Sequence, residues 1–276
     1  MSVDQIANAA VLFFDATSRD AIPLTWFERV ISVFGQFHMA PILFTAEGGS
    51  FQLDDCYTLD ECGGHIVKWG EQLESRRDLL VDSLKCDQIR SLHLDTPRAD
   101  AKKRSAWHVA ASVSLARQKC FIGVDEELIS DPSTLLQQAI EMTSDLFRLR
   151  YGFAYKMPLA DEPDSYAVGI QRTTLSDFRQ WLKRRKDGLP PPETPDELWH
   201  GELLGQRRHL KGLFRGAYPA NILSEAHVQA ADLNSAQIGR LSEIEDSLWL
   251  WELSSKELPL AESLLASKGA LVSQAE

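Results

Sequence analysis

The sequence predicts an α+β fold, with an antiparallel or mixed sheet and helices packed mainly on one face. Residues 107–115 alternate between apolar and polar side chains, and a three-residue turn separates them from a second apolar run, as in a β-hairpin. Segments with helical spacing and capping signals lie between the strands. Because the hairpin interrupts the strand–helix order, pure βαβ winding is not expected. We expect one domain over residues 1–276, in which the element order of 151–276 loosely repeats that of 1–150.

The N-terminal part begins with a predicted buried strand, Ala9–Asp15, which is apolar up to its final aspartate. Pro23 suits the first turn of a helix. This helix has one apolar face, formed by Phe27, Val30, Ile31 and Phe34. A short strand is predicted at 42–44. Thr58–Glu61 has the pattern of a capping box and predicts a helix that runs through residues 63–64.

The middle of the chain carries the clearest strand pattern. Ile89–Leu94 and Trp107–Leu115 alternate as half-buried strands do, and Arg117–Lys119 turns the second strand back into Cys120–Val124. Asp131 followed by proline predicts a capped helix.

The C-terminal part predicts two strands and three helices. Gly152–Met157 and Leu248–Leu253 read as strands. Helices are expected from Thr174 to about residue 186, from Thr194 to about residue 210, and over Ser255–Gly269. The segment 160–164 between the first strand and these helices is predicted to be a loop.

Composition excludes several classes of protein. Of the 276 residues, 44% are hydrophobic and 25% are charged, which is ordinary for a folded protein. No apolar run approaches the roughly 18 residues of a membrane helix, and no leader pattern opens the chain, so a cytoplasmic location is expected. Cys56, Cys62 and His65, even with Asp54 or Asp55, do not match a zinc-site spacing. We therefore predict no metal and no cofactor.

The net charge of −11 is unevenly distributed along the sequence. Residues 1–66 contain nine acidic and two basic side chains, a balance of −7. Such a field repels nucleic acid and attracts basic partners. Two interpretations stay open, since the charge either steers a protein partner or keeps the chain soluble.

The alternative function is that of an enzyme of hydrolase or nuclease type, for which two sets of residues are candidates. His93 and His108, near Ser112 and Ser114, would form a general acid–base pair if their strands were adjacent. Asp87 with Asp100 and Lys102 resembles the ligand set of a metal-dependent nuclease, but residues 98–104 are too polar for the strand that such a site uses. No sequence motif of a hydrolase, nucleotide-binding or zinc-protease site occurs.

A basic, aromatic stretch at Arg179–Lys186 has the composition of a nucleic-acid patch. Its position at the end of a predicted helix explains the charges more simply, because cations favour the negative end of the helix dipole. We therefore predict no nucleic-acid partner.

The most informative stretch is Gly212–Ser224, which contains Arg215, Tyr218-Pro219, Asn221 and Leu223-Ser224. Its glycines and proline predict an ordered extended turn that re-enters the core at Ile222 and Leu223. This stretch resembles the Arg-x-x-Tyr-Pro-x-Asn-x-Leu-Ser segment of bacterial immunity proteins from polymorphic and type VI toxin systems, and in particular the Immunity protein 52 family. The aromatic run Leu248–Glu252 and the helix after it are similar to the end of that family, while Gly216-Ala217 departs from its pattern.

The resemblance implies a non-enzymatic protein that binds and neutralises a cognate toxin. The toxins paired with this family are restriction-endonuclease-like, and a nuclease cleft is basic, so an acidic surface is expected to occlude it. Aromatic anchors are expected among the acidic contacts. The predicted contact residues are Glu47, Phe51, Asp54, Asp55, Tyr57, Asp60, Glu61, Asp125, Glu126 and Glu127. A membrane partner is not expected, and the oligomeric state stays open.

Overall fold

The described part of the chain contains twelve strands and six helices. The structure is a computed structural model, and it describes residues 5–15, 20–51, 58–59, 66–68, 71–98, 107–159, 163–167, 214, 216–225, 227–245 and 247–271. The strands are β1 (Ile6–Asp15), β2 (Leu43–Glu47), β3 (Thr58–Leu59), β4 (Ile66–Lys68), β5 (Glu71–Gln72), β6 (Ser91–Pro97), β7 (Trp107–Ser114), β8 (Lys119–Asp125), β9 (Arg148–Pro158), β10 (Ala220–Ser224), β11 (Arg240–Glu245) and β12 (Leu248–Glu252). The helices are α1 (Leu24–Gln36), α2 (Leu73–Lys85), α3 (Pro132–Thr143), α4 (Pro163–Ala167), α5 (Ala230–Ala236) and α6 (Leu258–Ser267).

Ten of these strands form one sheet in the order β11-β12-β10-β9-β1-β8-β7-β6-β2-β5, and β3 pairs with β4 separately. Every paired neighbour runs antiparallel. The predicted α+β class is therefore confirmed. β1 lies at the centre of the sheet, and all eight of its residues from 7 to 14 are buried.

The sheet buries a separate apolar cluster on each face. Alternate residues of β1 point to opposite sides, so Leu12 and Phe14 join one cluster while Val11 and Phe13 join the other. Helices α1, α2 and α3 cover the first side, which we call the α1–α3 face. Helices α4, α5 and α6 contribute to the second side, the α4–α6 face. The three longest described helices thus share one face, as predicted, and shorter helices cover part of the other.

Local signals in the middle of the chain have the predicted effect. β7 and β8 form the expected hairpin, and its turn places Gln118 in the left-handed region with φ 50°. The Asp131 carboxylate accepts a hydrogen bond from the Ser133 amide at 2.9 Å, which caps α3. Pro23 directly precedes α1, whose buried side includes Trp26, Phe27, Val30, Val33 and Phe34.

The helix predicted from the capping box does not begin at Thr58, and residues 60–65, through which it was predicted to run, lie outside the described residues. Thr58 and Leu59 are instead extended and pair with β4. Ile66 and Val67 are β-branched, and their preference for extended backbone outweighs a capping pattern that has no apolar helical face behind it. The helices predicted from Thr174 and Thr194 lie outside the described residues. Asp164, predicted to lie in a loop, belongs to α4.

No helix in the described ranges combines the length and the apolar character that crossing a membrane requires.

Candidate functional site

The predicted contact residues fall into an exposed group and a buried group. Glu47, Glu126 and Glu127 are exposed, whereas Phe51 and Asp125 are 6% and 2% exposed. A buried side chain does not reach a partner without rearrangement, so Phe51 and Asp125 have structural contacts in this fold, and their role as partner contacts stays a prediction. The remaining predicted contacts lie outside the described residues; they are Asp54, Asp55, Tyr57, Asp60 and Glu61.

Phe51 is buried because the chain folds back on itself after β2. Gly48 and Phe51 exchange two backbone hydrogen bonds of 3.0 and 3.1 Å. Gly48 adopts φ +113°, and a Cβ atom there would lie 2.0 Å from the Gln88 carbonyl oxygen. This turn places the Phe51 ring edge-on against Phe44, with ring centres 5.5 Å apart. The aromatic anchor predicted at position 51 is thus part of the core on the α1–α3 face.

The exposed acidic residues do not form one continuous surface. Glu47 pairs with Ser91, which pairs with Ser114, which pairs with Lys119 at the start of β8. Glu126 and Glu127 directly follow the end of the same strand, seven and eight residues after Lys119. At about 3.3 Å per residue, the two groups are separated by more than about 20 Å along the sheet. We call Glu126 and Glu127 the β8-end acidic pair.

Asp125 holds this end of the sheet together. Its carboxylate forms an ion pair with Arg98, and the two side chains are 3% and 10% exposed. His108 Nδ1 lies 3.7 Å from the same carboxylate. The Glu127 amide donates to Asp125 Oδ1 at 3.2 Å, so the buried aspartate also shapes the loop that carries the β8-end acidic pair.

The two histidines proposed as a catalytic pair are not brought together. His93 of β6 pairs with Ser112 of β7, whereas His108 lies four residues earlier on β7, about 13 Å along the strand. Each histidine faces a different aspartate: His93 Nε2 lies 3.2 Å from Asp95, and His108 lies near Asp125. A joint acid–base role for His93 and His108 is therefore not supported by their placement.

His93 belongs to a larger group on the α4–α6 face, which we call the polar cluster. The group contains His93, Asp95, Ser112, Lys119 and Asp164. Lys119 forms an ion pair with Asp164, and Ser112 donates to Asp164 Oδ1 at 3.4 Å. Burial lowers the pKa of Lys119 despite the opposing charge of Asp164. Burial would raise the pKa of Asp164, but the charge and hydrogen bond of Lys119 outweigh it and lower that pKa.

We expect the polar cluster to make stability depend on pH through His93. Burial lowers the pKa of His93, but the hydrogen bond and charge of Asp95, with a contribution from Asp164, outweigh it and raise that pKa above 6.5. A raised folded-state pKa stabilises the fold below the unfolded-state value and loses that contribution as pH rises through the folded-state value. The free energy of unfolding should therefore fall as pH rises above about 6.5. His93→Gln should lack the contribution of His93 to this fall.

Urea unfolding of the wild type and of His93→Gln between pH 6 and pH 8 measures the difference in the pH dependence of their stability. His38→Gln is the matched control, since His38 is an exposed histidine just after α1. An unchanged pH dependence in His93→Gln would contradict the assignment.

Other sites considered in the sequence receive no support from the described residues. Asp87 is exposed after α2 with φ 53°, while Asp100, Lys102, Cys56, Cys62, His65 and Arg179–Lys186 lie outside those residues. In the part of the chain that is described, no three His, Cys, Asp or Glu side chains are placed to hold a metal ion. A shallow groove between α1 and α3, lined by Arg29, Gln36 and Gln138, lies on the face opposite the polar cluster.

Among the described residues of the segment that carries the family resemblance, Phe214, Tyr218 and residues 220–223 are buried. Asn221 is fully buried; its Oδ1 accepts the Tyr218 amide at 3.1 Å and its Nδ2 donates to the Tyr218 carbonyl at 2.6 Å. Strand β10 pairs with β12, so that Asn221 opposes Trp251 and Leu223 opposes Trp249. The predicted return of Ile222 and Leu223 to the core is confirmed, because both are fully buried.

Comparison with known proteins gives little further identification. No protein-family model matches the chain, and no curated protein matches its sequence. Among solved structures, the chain is similar to the Pseudomonas aeruginosa T6SS protein PA0821. The identity is 12% and the TM-score 0.49, over 96% of this chain and 73% of that chain.

The sequence reasoning missed Lys119, Asp164 and Arg98. The sequence pattern predicts Lys119 in the hairpin turn, whereas in the structure it is the first residue of β8 and its side chain is 2% exposed. One signal was present: positions 120, 122 and 124 are apolar and face α1–α3, so residue 119 must face the other side of the sheet. Its ion-pair partner, Asp164, lies on α4, a helix that the sequence pattern did not reveal.

Proposed function

We propose that this chain is an immunity protein that binds and neutralises a cognate antibacterial toxin without catalysing a reaction. The observation that carries the proposal is the pairing of β10 with β12. The two separated stretches that resemble the Immunity protein 52 family, 212–224 and 248–252, meet in these adjacent strands. The resemblance therefore rests on one spatial unit rather than on two unrelated matches.

The proposed partner is a nuclease toxin with a basic cleft. Nucleases bind phosphates through cationic side chains, and a net charge of −11 favours association with such a surface. Of the predicted contacts that are described and exposed, Glu126 and Glu127 are adjacent and extend from a strand end that Asp125 fixes. We assign them to the contact surface, which would exclude substrate by covering the cleft.

Charge reversal tests this surface. In Glu126→Lys/Glu127→Lys, affinity for the toxin should fall at least about ten-fold, because two attractive contacts become repulsive. The loss should shrink at high salt, since salt screens exposed charges. Calorimetric titration at low and high salt measures both effects. Asp54→Lys/Asp55→Lys tests the other predicted acidic stretch in the same way.

The chain offers a matched control for this experiment. Glu243 and Glu245 are exposed on β11, at the far edge of the sheet, and reversing both makes the same change in net charge. If this control weakens binding as much as Glu126→Lys/Glu127→Lys, the charge acts through the general field and the proposed contact surface is wrong.

The partner itself is identified by using the full chain as bait in the native bacterium. Recovery of one stoichiometric partner that carries a toxin domain would support the immunity function. If no partner is recovered from cells shown to express a toxin gene next to the gene of this protein, the proposed function fails. His93→Ala and His108→Ala should leave neutralisation unchanged, and loss of protection in either would favour the hydrolase or nuclease alternative.

A further inference from the structure

Lys119 is buried on the α4–α6 face although most lysines stay exposed. Its side chain is 2% exposed, and its ammonium group donates both to the Asp164 carboxylate and, at 3.3 Å, to the Asp164 main-chain carbonyl. The bond to the carboxylate pairs the two charges, and the bond to the main-chain carbonyl also fixes the backbone of α4 at Asp164. An apolar side chain would fill the same space without any requirement for Asp164.

Three strands of the sheet direct polar groups at the start of α4. Lys119 extends from β8, and Ser112 of β7 donates to the same Asp164 oxygen at 3.4 Å. Tyr155 of β9 donates its hydroxyl to the Pro163 carbonyl at 2.5 Å. Near the end of the helix, the Tyr166 and Tyr218 hydroxyls lie 3.2 Å apart. The described attachment of α4 thus combines these polar contacts with apolar ones, since Pro163 and Ala167 are buried and the Tyr166 ring packs on Tyr155 with ring centres 5.1 Å apart.

A five-residue helix does not hold itself together, because a single turn forms too few hydrogen bonds to offset the order it requires. Its stability must come from contacts with the sheet. The charged groups that act on Asp164 are Lys119, His93 and Arg117, and all three favour its ionised form. Loss of the carboxylate charge therefore removes the ion pair that joins α4 to β8.

We propose that Lys119 and Asp164 form a charge latch that holds α4 on the sheet, and that α4 opens locally when the pair is broken while the sheet stays folded. Local units of this kind open at a lower free energy than the whole domain. The latch is a property of this chain alone and does not depend on the proposed toxin.

Thiol labelling separates local from global opening within one molecule. Ala167→Cys places a buried thiol in α4, while the native Cys120 lies fully buried on the α1–α3 face, where burial raises its pKa to about 12. Peptide mapping by mass spectrometry gives the labelling rate at each cysteine separately. We expect Cys120 labelling to rise steeply with urea, as global unfolding does, and labelling at position 167 to depend weakly on urea.

Asp164→Asn in the Ala167→Cys background tests the role of the charge. The labelling rate at position 167 should rise at least about ten-fold relative to the rate at Cys120. Leu136→Ala is the control, since Leu136 is fully buried on the opposite face and its truncation lowers global stability. In this control the labelling rate at Cys120 should rise, and the ratio of the rate at position 167 to the rate at Cys120 should not increase. Equal urea dependence at the two cysteines, or an unchanged ratio in Asp164→Asn, would overturn the proposal.

Discussion

Asn221→Ala should lower the free energy of unfolding by about 3 kcal/mol or more. The asparagine side chain is fully buried and satisfies the backbone amide and carbonyl of Tyr218, and it also donates to the Trp251 carbonyl at 3.4 Å. Alanine leaves the Tyr218 groups buried without these partners, and each unsatisfied group costs about 1–3 kcal/mol. Urea or thermal unfolding of the variant measures the loss.

Asn234→Ala provides the comparison for this substitution. Asn234 is exposed in α5, so its truncation should change stability by about 0.5 kcal/mol or less. If the two variants are equally stable, the hydrogen bonds of Asn221 do not hold the turn, and the structural role assigned to it is wrong.

This role limits what the family resemblance explains. Asn221 is buried, and Tyr218 stacks on Phe153 with ring centres 4.3 Å apart. The Trp251 indole N–H donates to the Ile238 carbonyl at 2.7 Å. These residues shape the join between β9, β10 and β12. A resemblance carried by buried residues relates to the fold, so the toxin-binding surface must be found among exposed residues elsewhere.

Local patterns were enough to predict the middle of the sheet. The alternation in 107–115 and the turn signal that follows it predict the β7–β8 hairpin, and Asp131 caps α3 as expected. Each of these features depends on residues close together in sequence. The capping pattern at Thr58 is also a local signal, but a weak one. Cross-strand pairing with β4 overrides it at Thr58 and Leu59.

Features that depend on distant contacts could not be predicted from the sequence. The buried Lys119 has its ion-pair partner, Asp164, 45 residues further along the chain. Glu47 and the β8-end acidic pair lie at opposite ends of the sheet because of strand register, which alternation alone does not fix. Asp125 and Glu126 were both predicted to be acidic contacts, because the sequence does not show that Asp125 is buried and Glu126 exposed.

Asp125→Ala should therefore destabilise the protein by about 3–5 kcal/mol, because it removes the buried carboxylate that forms an ion pair with the Arg98 guanidinium. Arg98 is 10% exposed, so little water can replace the lost carboxylate. The Glu127 amide loses its acceptor as well. Chemical denaturation measures the effect.

Glu126→Ala is the matched control for Asp125→Ala, because it removes the next carboxylate along the chain. Glu126 is exposed and pairs with Lys156 at 3.5 Å, a contact that contributes about 1 kcal/mol at most. The two variants should separate the roles of the neighbours: Asp125→Ala lowers stability, whereas Glu126→Ala lowers affinity for the toxin. Equal stability of the two variants would show that the ion pair with Arg98 does not stabilise the fold, and the structural role assigned to Asp125 would then be wrong.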